Sequence, residues 1–388
     1  MELLGTCTAL LVIWISFFLL SATWKSKMYR KAKMPPGPTP LPIFGNVLQL
    51  KGKYWDQEFS KISEKYGPVF TLYLGMEPVV VLNGYDAIKE ALIDQGNDFS
   101  ARPKLPLADK LNKGGGMQNT QSKHSDYEQA ACVSKLPKRR LHHTQRQYVA
   151  FLFNAFPAFM EWVPGPHHHM IANYDKCTEL VLEEAKEHRA TLDPNSPRDF
   201  IDCFFIRMDQ EKHDEACEFT MEIMVSCCMD LFGAGTETTS STLKYGLLIL
   251  QKYPEVEDSL DICFLTLHLI HLLAEKVQEE IDRVVGRSRM PGMADRRQMP
   301  YTNAVIHEIQ RSLSLVSLSL PHSVVKDTPF RGYIIPKGTT IFPVLTSVLH
   351  DGKEFPNPTE FDPGHFLNED GTFRKSDYFM PFSTVVAK

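Results

Sequence analysis

The sequence predicts a globular domain built mainly of helices with one small β region, preceded by a membrane-spanning segment. Three observations carry this. There is no charged side chain from Leu3 to Trp24. Apolar residues recur at helical spacing in stretches around 55–66, 85–94, 174–188, 218–253 and 301–311. Runs rich in β-branched and aromatic residues are confined to PVFTLYLG, PVVVLNG and FRGYIIPKGTTIFPV. A chain of 388 residues that is 43% apolar and 23% charged has the composition of an ordinary folded protein. Its net charge of −5 lacks the basic surplus of a nucleic-acid binder, so no nucleic-acid partner is indicated. The eight cysteines show no C-x-x-C pair, which points to free thiols in a reducing compartment.

The first segment is long enough to cross a bilayer, because about 20 helical residues span the roughly 30 Å hydrocarbon layer. A cleaved signal peptide would have a basic start and a shorter apolar run, whereas Glu2 precedes this one. Lys25, Lys27, Arg30, Lys31 and Lys33 follow it, and such a cluster stays on the cytosolic side. Residues 3–24 are therefore expected to be a transmembrane signal-anchor, 25–40 a basic and Pro-rich linker, and 41–388 a cytosolic body. Pro35-Pro36-Gly37-Pro38-Thr39-Pro40 cannot be helical and reads as a stiff extended link.

Trp55 to Tyr66 reads as a helix, the two β-rich runs after it as a hairpin, and Tyr85 to Asp94 as a second helix. From Gly114 to about Arg146 the chain is polar and aperiodic, which predicts a loop, and its short basic run is a solvated feature. His167-His168-His169 has the look of a metal tract. Adjacent histidines do not converge on one ion, however, and Gly165-Pro166 predicts a surface loop there.

From Glu218 to about Tyr253 apolar residues occupy most of a helical circumference, which predicts a helix buried through the middle of the domain. Its centre is unusual: Gly233, Ala234 and Gly235 leave space where a core helix is normally filled, and Glu237, Thr238 and Thr239 follow. The alternative is a close helix–helix contact with back-bonding threonines. In the helix Tyr301 to Arg311, Glu308 and Arg311 stand three apart and share a face, as an ordinary surface ion pair would. FRGYIIPKGTTIFPV reads as two short strands around Pro336-Lys337-Gly338, and FPNPTEFDPGHF as a Pro-rich meander.

Taken in order, PPGPTPLPIFGN, AGTETT, the E-I-Q-R helix, IPKGTT, FPNPTEFDPGHF and YFMPFS resemble the mammalian microsomal cytochromes P-450 of family 2. The resemblance implies the mainly α cytochrome P-450 fold, incomplete here, behind an endoplasmic-reticulum anchor. It further implies haem b, electrons from NADPH through the cytochrome reductase with cytochrome b5 as a second donor, and insertion of one oxygen atom of O2 into lipophilic substrates such as xenobiotics, fatty acids or steroids. Carried over residue by residue, Ala234 and Gly235 line an oxygen groove, Glu237 and Thr238 deliver protons, and Arg102 and His322 reach the haem propionates. Glu308 and Arg311 become a core ion pair, and His365 stands where the family often has an arginine.

Three departures set the chain apart from that pattern. The family continues past FMPFS into a loop whose cysteine binds the iron, whereas here Ser383 is followed by Thr-Val-Val-Ala-Lys. The stretch from about Met117 to Arg146 stands in for a longer segment of several helices. EDSLDICFLTLHLIHLL, from Glu257 to Leu273, interrupts what runs directly in relatives. Cys227 and Cys228 sit about two turns before the oxygen groove on the opposite side of the haem, so they do not replace the missing ligand and no metal-ligating residue is assigned. Two functions follow as expectations: a haem-thiolate monooxygenase, and a non-catalytic anchored relative that binds a normal counterpart or the reductase and forms no thiolate chromophore.

Overall fold

The computed structural model describes residues 33–50, 55–111, 152–213, 219–250 and 273–384. Segment 3–24, the stretch 117–146 and all but Leu273 of the 257–273 interruption lie outside the described residues. Among the described residues no helix is long and apolar enough to cross a membrane.

Two layers meet in the described chain. The first is a four-stranded sheet in the order β1 (Val69–Leu74), β2 (Glu77–Asn83), β6 (Thr340–Val344), β3 (His322–Ser323). Alternation sorts its side chains between two cores, as a pleated strand requires. Phe70, Leu72, Val79 and Val81 join Phe59 of α1 (Trp55–Tyr66) on one face. Val69, Val80 and Leu82 join Ala87 and Ile88 of α2 (Tyr85–Lys89) on the other. The hairpin β1–β2 is antiparallel, and β2 then pairs in parallel with β6, Val79 opposite Thr340.

The strands around Pro336-Lys337-Gly338 form, but they do not pair with each other. β5 (Tyr333–Ile335) pairs with β4 (Thr328–Phe330), and β6 leaves for the large sheet. Pairing of β6 with the distant β2 covers Ile341 and Val344 completely, which a local hairpin of short strands would not do. The Pro-rich link runs alongside β1, where Thr71 donates its N–H to Pro36 O (2.8 Å) and its hydroxyl to Pro35 O (2.8 Å). A Cβ on Gly37 would collide with the carbonyl oxygen of Thr71, so the close approach needs glycine.

The second layer is helical. After α3 (Pro106–Leu111) come α4 (Pro166–Ala190), α5 (Phe200–Gln210) and α6 (Met221–Leu250), then α7 over residues 273–284 and α8 (Pro300–Leu313). The histidine tract is not a loop: Pro166 opens α4, and proline at the first helical position gives up only an N–H that has no intrahelical partner. His167 is buried there, with its Nε2 2.7 Å from Met160 O. Asp199 caps α5 by accepting from the N–H groups of Ile201 and Asp202. Glu280 of α7 caps α8 from outside, accepting from Tyr301 N (3.2 Å) and Thr302 N (2.7 Å).

Met224, Val225, Cys228 and Met229 put one face of α6 into the core formed with α4 and α5. The helix is not buried all round, as its composition predicted: Leu231, Phe232, Leu243, Tyr245 and Leu247 are exposed. Two of them, Leu243 and Leu247, face a cavity, and this is why their apolar character does not translate into burial. After β6 a short helix, α9 (Thr346–Leu349), leads into the meander, whose Phe355 and Phe366 pack on Ala304 of α8.

Candidate functional site

A cavity of about 850 Å³ opens between α6, α8 and the strand β3, within the range of roughly 300–1,000 Å³ typical of small-molecule sites. Small residues create it. Gly246 allows α6 to approach α8, since a Cβ there would lie 3.0 Å from Ile309 Cδ1, and a Cβ on Gly235 would meet nothing within 4 Å. The α6 wall is Ala234, Thr238, Thr239, Thr242, Leu243 and Leu247. Ile306, Ile309 and Gln310 of α8 form the second wall, and Phe382 and Ser383 close the end.

Arg102 and His322 form the polar rim. An antiparallel bridge between Ala101 and Ser323 brings their two segments together, and Ser323 N donates to Ala101 O at 2.7 Å. Arg102 donates through Nη1 to Pro321 O (2.7 Å) and Leu320 O (3.2 Å). His322 is buried, and its Nδ1 lies 2.9 Å from Phe99 O, a carbonyl that can only accept, so this nitrogen carries the proton.

Arg102, Ala234, Thr238 and His322 thus share one cavity. Gly235 and Glu237 lie on the same helix but outside its lining. The Thr238 hydroxyl donates back to Ala234 O at 2.5 Å, and Glu237 Oε1 accepts from Ser241 at 3.4 Å. Thr242, Ile309, Gln310 and Phe382 were not singled out from the sequence. Their signal was present only as the continuation of the α6 centre, the apolar stripe of α8 and the YFMPFS motif that contains Phe382.

Behind the α8 wall, Glu308 and Arg311 are fully buried and form a two-pronged ion pair, Nη2–Oε1 2.6 Å and Nε–Oε2 2.7 Å. The surface reading is excluded. Arg311 also donates to Leu349 O (3.0 Å), Pro358 O (2.8 Å) and Glu360 O (3.1 Å), which fastens α9 and the meander to α8. His365 Nδ1 lies 3.2 Å from Glu308 Oε2. Elsewhere, His188, Asp199 and Asp202 cluster within 4.8 Å of one another. Arg198 takes both oxygens of Asp202 (2.7 and 2.8 Å) and holds that carboxyl far below the usual range, so the cluster is a salt-bridged joint between α4 and α5.

The sequence profile of the family described as Cytochrome P450 matches residues 35–139 and 137–384. The chain belongs to the cytochrome P450 family. Similar proteins include Cytochrome P450 2C16 of Oryctolagus cuniculus (44% identical), Cytochrome P450 2C41 of Canis lupus familiaris (45%) and Cytochrome P450 2C8 of Homo sapiens (43%). Each is aligned over 441 residues that cover 96% of this chain and 86% of the relative. It is a microsomal, family 2 type of P450, and its function is that of a haem-thiolate monooxygenase using haem and NADPH-derived electrons. The two matched pieces meet at residues 137–139, inside the aperiodic stretch 117–146. These findings support the monooxygenase reading, and the non-catalytic one is not better supported by them.

The residues that line the cavity suit the ring and the two carboxylates of a haem, and none of them is a cysteine that would ligate its iron. A broad, mainly apolar cavity flanked by a small-residue helix face offers room for a flat apolar ring, and a cationic and an imidazole side chain at one rim suit two carboxylates.

Proposed function

We propose that the chain is an endoplasmic-reticulum monooxygenase, anchored by residues 3–24 with its body in the cytosol, that holds haem b in the cavity between α6 and α8. NADPH-cytochrome reductase and cytochrome b5 would supply electrons, and lipophilic small molecules would be the substrates. The observation that carries this reading is the single cavity shared by Arg102, Ala234, Thr238 and His322. Haem, when bound, supplies the one-electron and O2 chemistry.

The chain's own residues have distinct tasks. Arg102 brings a permanent positive charge to the rim and pairs with a propionate. His322, whose Nδ1–H is committed to Phe99 O, donates to a carboxylate through its other nitrogen only as the imidazolium. Ala234 and Gly246 keep the facing side of the helix slim. The proton of Thr238 is directed at Ala234 O, so its hydroxyl presents lone pairs to the cavity and there orders a proton-carrying water. Glu237, half-buried one position earlier, feeds protons toward that water from outside the lining. Glu308 and Arg311 hold the α8 wall to the meander.

The test is to express the gene product in microsomes with the reductase and supply NADPH, labelled O2 and a panel of lipophilic compounds. One labelled oxygen atom per product molecule is expected. Thr238→Ala should lower product formed per NADPH tenfold or more, since loss of a positioned proton carrier typically costs about 10²–10⁴ in rate. Haem-loaded protein that turns over no compound of the panel when reductase is present would refute the proposal.

A further inference from the structure

One residue in the cavity wall is held in a backbone conformation that is costly for its type. Ser319 has a φ of 56°, in the left-handed region where a Cβ crowds the following carbonyl and which glycine enters freely. It closes a turn by donating its N–H to Val316 O at 3.1 Å. Ser314 is also left-handed, but it ends α8 and its hydroxyl donates to Arg311 O at 3.4 Å. The Ser319 hydroxyl has no such local task. It is buried, on a residue only 7% exposed, and meets neither donor nor acceptor among the described residues. A buried hydroxyl left unmet keeps the desolvation penalty of a polar group, which is why such groups are normally partnered. Ser319 thus combines two unfavourable features, neither of which serves the turn, and glycine would remove both.

The place of the hydroxyl accounts for them. Ser319 lines the cavity between α6 and α8, and so do Leu320 and His322 just after it. Arg102 takes the carbonyls of Leu320 (3.2 Å) and Pro321 (2.7 Å), which fixes the backbone that follows Ser319. The walls around it are largely apolar, with Ala234, Leu243, Leu247, Ile306 and Ile309, and in such a cavity a few placed polar groups orient what binds. Thr238 commits its proton to Ala234 O, whereas the proton of Ser319 is uncommitted, beside a rim whose Arg102 draws electron-rich oxygens toward it. Strained backbone of this kind gathers where a site needs a side chain aimed.

We propose that Ser319 is a specificity-determining residue whose hydroxyl donates a hydrogen bond to an acceptor oxygen of the molecule held in the cavity, the left-handed backbone being what aims it there. The inference rests on the reading of this cavity as the haem and substrate site. Two sources of that oxygen share the chemistry, a carboxylate of the haem and a carbonyl of a lipophilic substrate.

The whole chain in bilayers is titrated with haem and with haem dimethyl ester, and the haem-loaded chain with androstan-17-one and with androstane, which lacks the oxygen. If a haem carboxylate is the acceptor, Ser319→Ala raises the dissociation constant of haem about tenfold and that of the ester much less. If a substrate carbonyl is the acceptor, haem uptake stays as it was, and the dissociation constant of androstan-17-one rises about fivefold while that of androstane does not. Either result supports the proposal and assigns the oxygen. Constants unchanged by Ser319→Ala in both arms would overturn it alone, and no uptake of haem by the natural chain would overturn it together with the reading of the cavity. Urea unfolding of the ligand-free chain tests the strain separately. Ser319→Gly and Ser319→Ala both lack the hydroxyl, but only alanine keeps a Cβ in the left-handed region, so the glycine variant should have a folding constant about twofold or more higher. A glycine variant no more stable than the alanine one would remove the strain from which the proposal starts.

Discussion

Replacing Arg311 by alanine should be among the most damaging single changes available to this fold. The guanidinium makes five hydrogen bonds, two to Glu308 and one each to Leu349 O, Pro358 O and Glu360 O. Its removal leaves the Glu308 carboxylate buried without its guanidinium partner, and three carbonyls without their donor. Breaking a buried pair costs about 3–5 kcal/mol, and each orphaned acceptor adds about 1 kcal/mol unless water enters the vacated space. A loss of about 3–8 kcal/mol, the lower end if water replaces the lost donors, is therefore expected, against a total stability of about 5–15 kcal/mol for a domain. The assay is urea unfolding of the detergent-solubilised chain, followed by tryptophan fluorescence and pulse proteolysis. Arg311→Ala should show no cooperative transition or a much lower midpoint, and Arg311→Lys should rescue little because an ammonium cannot reproduce the fork. Arg189→Ala, which removes the solvent-exposed pair with Asp209, should cost less than about 1 kcal/mol. Arg311→Ala unfolding within about 1 kcal/mol of the natural chain would refute this reasoning.

Gly37→Ala should lower the unfolding midpoint by about 2 kcal/mol in equivalent stability, because the new methyl pushes the link away from Thr71 and breaks two hydrogen bonds; an unchanged thermal melt would count against the docked link. Cys203 is exposed and should alkylate at once near pH 8, whereas Cys228, pushed up to about 11 mainly by burial, should react only as the chain unfolds; mass mapping of early adducts on Cys228 would contradict its placement. Arg289 and the Gly292 N–H hold the Asp295 carboxyl down to about 2. Its contribution is complete above its unfolded value near 4 and is lost as pH falls toward 2, so Asp295→Asn should flatten the acid limb of the stability curve, and identical acid limbs would argue against the contact.

The parts of the fold written in local periodicity were legible from the sequence: the long helix Met221–Leu250, the helix carrying Glu308 and Arg311, and the β1–β2 hairpin with its alternating faces. Partner choice was not. Nothing near Thr340 says that β6 joins β2, some 260 residues earlier, because that pairing buries Ile341 and Val344 against strands distant in sequence. The histidine tract misled because three adjacent polar residues read as a loop, yet Pro166 is an equally good helix opener and only one of the three rings needs to be buried. In the site, the AGTETT centre of α6 announced itself through residues too small for a core helix. The second wall did not, since Ile306 and Ile309 look like any apolar stripe and only packing reveals that they face a cavity. From the helix alone Glu308 and Arg311 look like a surface pair and only the family resemblance placed them in the core, because their remaining partners are carbonyls of Leu349, Pro358 and Glu360, brought in from beyond the helix.

The central claim is that the cavity between α6 and α8 is a haem site, and titration of the purified chain with haem tests it most directly. The Soret absorbance should saturate at one haem per chain. Ala234→Trp, which places a bulky ring in the cavity wall, should abolish saturable uptake while the far-ultraviolet circular dichroism stays that of the natural chain. Uptake unchanged by Ala234→Trp, or no saturable uptake by the natural chain, would contradict the account.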